Sequence, residues 1–128
     1  MIVDTSALLA LVLAEPDGTR VAHELSVNDC AMSAPNYFEA SLVMLRRQGS
    51  EAARAMKALM DKSGIRIVPF DETLAAIALD AYKKYGRGSG HKAGLNFGDC
   101  FSYALAKQRG EPLLAVGPEF ADVGLPRG

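Results

Sequence analysis

Four short β-like runs, spaced far apart and separated by helical stretches, restrict this chain more than any other feature. They are Ile2 to Asp4, Ala31 to Ala34, Ile65 to Pro69, and Leu113 to Val116. The third is the clearest, with β-branched residues in alternation. Such spacing rules out hairpins and requires crossover connections, hence a parallel sheet with helices on both faces. Right-handed crossovers then gather the strand C-termini on one edge. The expected fold class is α/β, a three-layer α/β/α sandwich around a short central parallel sheet.

The intervening helices follow from periodicity and punctuation. Ala7 to Leu13 is helix-like, and Asp17-Gly18 precedes a helix to about Asn28 with Val21, Ala22 and Leu25 on one face. Pro35 suits the first turn of a helix over 35–47. That helix is apolar almost all round, interrupted only by Glu39, Ser41 and Arg46-Arg47, and is expected to be buried. Ser50 is expected to cap a helix carrying Ala52, Ala53, Met56, Leu59 and Met60, closed by Gly64. Asp71 caps another, with Leu74, Ile77, Ala78, Ala81 and Tyr82 inward, and a last helix runs from about Phe97 to Arg109 before Gly110.

At 128 residues the chain is expected to form one domain, 1–128. Its 49% hydrophobic and 23% charged residues fit a globular protein rather than a disordered one. A net charge of −1 means that any nucleic-acid contact must come from a local basic patch. Cys30 and Cys100 are isolated and read as buried thiols of a reducing compartment. The apolar run Ala7 to Ala14 follows Asp4 rather than a basic segment, and no stretch approaches a membrane span. The expected location is the cytoplasm, with no membrane association.

Three acids stand out against this background. Asp4 ends the first strand, where open α/β sheets place their active sites. Glu39 sits one turn inside a nearly all-apolar helix, where an unpaired carboxylate is costly. Asp99 follows Asn96 by three residues, as in a capping box. Each has an ordinary structural explanation: Asp4 as an N-cap, Glu39 in a salt bridge, Asp99 as partner to a helix dipole. A first strand tends to be central, so helix starts beside it would bring all three to one edge. Converging carboxylates repel, and an oxygen-only donor set suits Mg²⁺ or Mn²⁺ rather than zinc.

At these residues the chain resembles a known family. Ile2-Val3-Asp4-Thr5-Ser6, the helical Glu39, and Ala93-Gly94-Leu95-Asn96-Phe97-Gly98-Asp99-Cys100-Phe101-Ser102-Tyr103-Ala104-Leu105-Ala106 are similar to PIN-domain toxins of the VapC type. The similarity continues through Gly110-Glu111-Pro112-Leu113-Leu114 to Phe120. The resemblance implies a Mg²⁺- or Mn²⁺-dependent endoribonuclease, with RNA as substrate and a cognate VapB-like antitoxin as partner. It implies Asp4 and Asp99 as metal ligands, Glu39 completing the site or orienting the attacking water, and Ser6 and Asn96 as hydrogen-bonding support. The family's tail carries a further acid pair. Glu119-Phe120 keeps the first, whereas Val123-Gly124 stands where Thr-Asp is usual, with Asp122 two positions early as a candidate substitute. Glu119 is therefore an expected fourth catalytic acid and Asp122 a candidate fifth.

The segment Lys83 to Gly94 holds four basic residues, one His and four glycines. By itself it reads as a helix end and a solvated turn. Beside an acidic pocket, a mobile loop carrying Arg87, His91 and Lys92 would hold the phosphates that the acids repel. The helices carry more apolar surface than four short strands require, so a homodimer and an apolar partner surface are expected. The rival reading is a non-catalytic PIN-like module that binds RNA or protein through an incomplete acidic site.

Overall fold

The computed structural model describes residues 1–126; Arg127 and Gly128, the end of the expected 1–128 domain, lie outside the described residues. The chain runs β1 (Ile2–Val3), α1 (Thr5–Val12), α2 (Gly18–Val27), β2 (Ala31–Ser33), α3 (Ala34–Gln48), α4 (Ser50–Lys62), β3 (Arg66–Val68), α5 (Glu72–Tyr85), α6 (Phe97–Arg109) and β4 (Leu113–Leu114). The strands form one sheet in the order β3-β2-β1-β4. All pairings are parallel, with Ile2 opposite Ala31 and Leu113, and Met32 opposite Ile67. β1 is interior, as its place at the start of the chain suggested.

Alternation along these short strands separates two cores. Val3, Met32 and Leu114 face a cluster with Leu8, Val21, Met44, Met56 and Met60, so α1 to α4 cover that side. Ile2 and Ala31 face the other way, onto Leu74 of α5 and Ala104 to Ala106 of α6. The result is the expected three-layer α/β/α arrangement. Both cysteines are buried free thiols. No helix among the described residues is long and apolar enough to cross a membrane.

Several local expectations need correction. α3 is buried along one side only, through Asn36, Ala40 and Met44; Phe38 is 62% exposed, Leu45 46%, and Glu39 is also exposed. Apolar content alone does not distinguish a core helix from one with an uncovered face. Ser50 is the first residue of α4 rather than its cap: Gly49 holds the cap position, with no side-chain bond. Tyr82 is 41% exposed and so does not turn inward, and Ala22 is exposed, off the buried face of Val21 and Leu25. α1 begins at Thr5, and β2 and β4 end earlier than the apolar runs that contain them.

Candidate active site

Each acid owes its position to the end of a regular element. β1 stops at Val3, and Asp4 turns extended to cap α1. One oxygen of Asp4 accepts from the Ser6 amide at 3.0 Å and the Ser6 hydroxyl at 2.6 Å. The other accepts from the Ser102 hydroxyl of α6 at 2.5 Å. The Ser6 hydroxyl also accepts from the Val116 amide at 2.9 Å, which ties the tail to the same carboxylate. Asp4 is only 4% exposed, so these donors replace the water it has lost.

Glu39 lies in the second turn of α3. The Thr5 hydroxyl donates to its Oε1 at 2.6 Å and lies 3.2 Å from the Asn36 carbonyl. A hydroxyl has one proton, and the charged carboxylate at the shorter distance is the stronger acceptor. Asp99 forms the expected capping box: its amide donates to Asn96 Oδ1 at 2.8 Å, and its Oδ2 accepts from the Asn96 amide at 2.9 Å.

The Asp99 carboxyl is pushed up from 3.8 to about 6. Burial is the main cause, opposed by the Asn96 backbone bond, with the negative charges of Asp4, Glu119 and Glu39 adding to the rise. Asp4, Glu119 and Glu39 thus lie within electrostatic reach of Asp99. Among the described residues no ion pair reaches any of them. Nor do any three Asp, Glu, His or Cys residues stand close enough to form a ready-made cation cage. The donor chemistry, all oxygen, nevertheless fits a hard divalent ion.

Four residues that the sequence reading passed over hold this edge together. Thr5 anchors Glu39, and Ser102 anchors Asp4. Asn36, fully buried, accepts from the Ser33 hydroxyl at 2.6 Å and donates to the Gly98 carbonyl at 3.0 Å, joining α3 to α6. Gly98 permits that approach, because a Cβ there would sit 2.6 Å from Glu39 Oε2. The available signal was a polar residue inside an apolar segment: Asn36 lies three residues before Glu39, and Ser102 lies between Phe101 and Tyr103.

The remaining candidates stand on the loop after α5 and on the tail. Arg87 is exposed on a loop pinned by the Arg87 amide to Leu95 carbonyl bond at 3.0 Å. The His91 ring packs edge-on against Tyr85 at 4.8 Å, and its Nδ1 accepts from the Ala93 amide. Lys92 pairs with Asp122 at 3.0 Å. Lys92, Asp122 and Glu119 line one cavity of about 190 Å³. Glu119 is among the charges acting on Asp99. The structure therefore places Asp4, Glu39 and Glu119 within electrostatic reach of Asp99, with Ser6 and Asn96 hydrogen-bonded to Asp4 and Asp99 respectively.

Fold and site together define an α/β protein whose candidate active site is a set of acids around Asp99, with Asp4 at the C-terminal edge of a parallel sheet. Comparison with known proteins narrows the class. The family model described as PIN domain matches residues 1–125. Ribonuclease VapC42 of Mycobacterium tuberculosis is 50% identical over 123 residues, covering 94% of this chain and 92% of the relative. Ribonuclease VapC28 of the same organism is 43% identical over 128 residues, covering 99% and 96%. Among solved structures, Mycobacterium tuberculosis VapC20, described as a Sarcin-Ricin loop cleaving toxin, superposes with a TM-score of 0.77 at 21% identity, covering 99% of this chain and 97% of that one. FitAcB from Neisseria gonorrhoeae gives 0.63 at 23% identity, covering 88% and 84%. The chain belongs to the PIN-domain family, among the VapC ribonucleases.

Proposed function

We propose that this chain, folded as a single PIN-like domain, is a Mg²⁺- or Mn²⁺-dependent endoribonuclease. It acts in the cytoplasm as the toxin of a type II toxin–antitoxin pair and is held in check by a VapB-like antitoxin. The observation that carries the reading is the Asp99 carboxyl, buried and raised further by Asp4, Glu119 and Glu39, with no ion-pair partner among the described residues. Carboxylates from the end of β1, α3 and the tail gain nothing for the fold by lying near Asp99; they suit a divalent cation.

Asp4 and Asp99 would hold that cation, with Glu39 as third ligand or as the residue that orients water, and Glu119 toward a second position. The bound ion would polarise the scissile phosphate and lower the pKa of the attacking water. The chain's own residues set the geometry. Ser6 and Ser102 fix both oxygens of Asp4, Asn96 fixes Asp99, and Thr5 holds Glu39 against the site. In-line attack by water leaves a 5′-phosphate and a 3′-hydroxyl.

Arg87, His91 and Lys92 supply phosphate contacts, Lys92 after leaving Asp122. Such contacts strengthen binding without selecting sequence. The uncovered face of α3, with Phe38 and Leu45, suits a homodimer or the antitoxin. The test is cleavage of cellular RNA by purified protein with Mn²⁺, with Mg²⁺ and with chelator. Cuts that require the ion and carry 5′-phosphates support the reading; cutting in chelator would refute the metal assignment.

A further inference from the structure

Phe97 opens α6 directly after Asn96 and two residues before Asp99, yet it is 78% exposed. At that exposure Phe97 adds little to the core. Its ring is not isolated. Phe97 meets Phe101 edge-on at 4.7 Å, and Phe101 meets Phe70 edge-on at 4.9 Å. Phe97 and Phe101 are four residues apart and share a face of α6, while Asp99 lies on a different face. The three rings line a groove of about 380 Å³, walled opposite by Leu79 and Tyr82 of α5, which are 56% and 41% exposed. Phe70 follows the end of β3, on the sheet edge where β1 leads into Asp4. Exposed Lys83 and Lys84 follow Tyr82 at the end of α5.

We propose that this groove is a base platform: Phe97 stacks an unpaired nucleobase of the RNA strand next to the scissile phosphate. The inference rests on the ribonuclease reading and deepens it, because it names single-stranded RNA as the form bound and Phe97 as a residue that selects position. Several features favour a base over a protein segment: the groove has the volume of a small-ligand site, four of its lining residues are aromatic, two lysines follow it on α5, and Phe97 stands two residues before Asp99. Stacking accepts any base but requires the base to be unpaired.

The test separates binding from chemistry. In an Asp99→Asn background, affinity for a fluorescein-labelled, mixed-sequence single-stranded RNA is measured with Phe97 intact, as Phe97→Ala and as Phe97→Trp. The alanine variant should bind about tenfold more weakly, and the tryptophan variant at least as well as Phe97. In the cleavage-competent protein, Phe97→Ala should raise KM by a similar factor with little change in kcat. An abasic nucleotide at one position beside the cut should weaken the parent and leave Phe97→Ala unaffected. Because Phe97 is exposed, the melting temperature should not move. Equal RNA affinity for all three variants, no RNA binding at all, or a Phe97→Ala defect confined to self-association or antitoxin binding would overturn the platform. If binding depends on Phe97 as described but the wild-type protein cuts no RNA, the platform stands and the ribonuclease reading fails. If the wild type cuts and Phe97→Ala has unchanged KM and affinity, only the platform fails.

Discussion

The Thr5 hydroxyl donates to Glu39 Oε1 at 2.6 Å, joining the first residue of α1 to the second turn of α3 across a sequence separation of 34 residues. Glu39 is exposed, so water competes for it, and this bond is what orients it. Thr5→Val keeps the shape and removes the donor. Cleavage should fall about tenfold or more, as when a residue supporting a metal ligand is lost, while Thr5→Ser retains most of the activity. Comparison of kcat/KM for the two variants, with thermal melts to confirm folding, checks this.

Gly98→Ala separates stability from activity. In an exposed helix interior alanine is favoured over glycine by about 1 kcal/mol, yet here its Cβ would approach Glu39 Oε2 to 2.6 Å. The carboxylate must turn away. We expect a melting temperature close to wild type and a loss of cleavage of about 10- to 100-fold, because small displacements of an aligned group are costly. An active Gly98→Ala protein would remove Glu39 from the machinery.

Asp99 also predicts a pH effect in cation-free protein. Its carboxyl lies at about 6 in the fold against 3.8 as the ordinary value, so the fold favours the protonated form. That contribution is complete below the unfolded pKa and is lost as pH rises through about 6. Asp99→Asn has no such charge to accommodate. In chelator, the variant should therefore become more stable relative to wild type as pH rises from about 4 to above 6, measured by paired melts at fixed ionic strength. A constant difference across that range would contradict the electrostatic picture.

Glu119 and Asp122 should behave differently. Glu119 acts on Asp99, whereas Asp122 pairs with Lys92 on the surface. Glu119→Gln should slow cleavage by about tenfold and be partly restored by more Mn²⁺. Asp122→Asn should have a smaller effect, seen in RNA affinity as Lys92 is released. Equal, unaffected rates would mean a site of three acids.

Much of this arrangement was legible because it is local. Asp4 as a cap, the Asn96–Asp99 box and Pro35 in the first turn of α3 each involve residues within a few positions of one another. The alternating run at Ile65 to Pro69 contains β3, and its separation from the other runs implied parallel pairing. The supports of the acids were not legible. Ser102 reaches Asp4 across 98 residues and Asn36 reaches Gly98 across 62, and no periodicity encodes such contacts. α3 misled for a different reason: Phe38 and Leu45 are apolar yet exposed, and composition does not reveal whether a partner or the core is to cover them.

The central claim is that Asp4, Glu39 and Asp99 form a cation-dependent phosphodiesterase centre. Asp99→Asn preserves the shape of the capping box and removes the charge. The most direct measurement is the Mn²⁺-dependent rate of RNA cleavage by this variant, with Mn²⁺ binding followed in parallel by calorimetry. The account predicts a folded protein with weakened Mn²⁺ binding and no detectable metal-dependent cleavage. Cleavage at near wild-type rate in Mn²⁺ would contradict it.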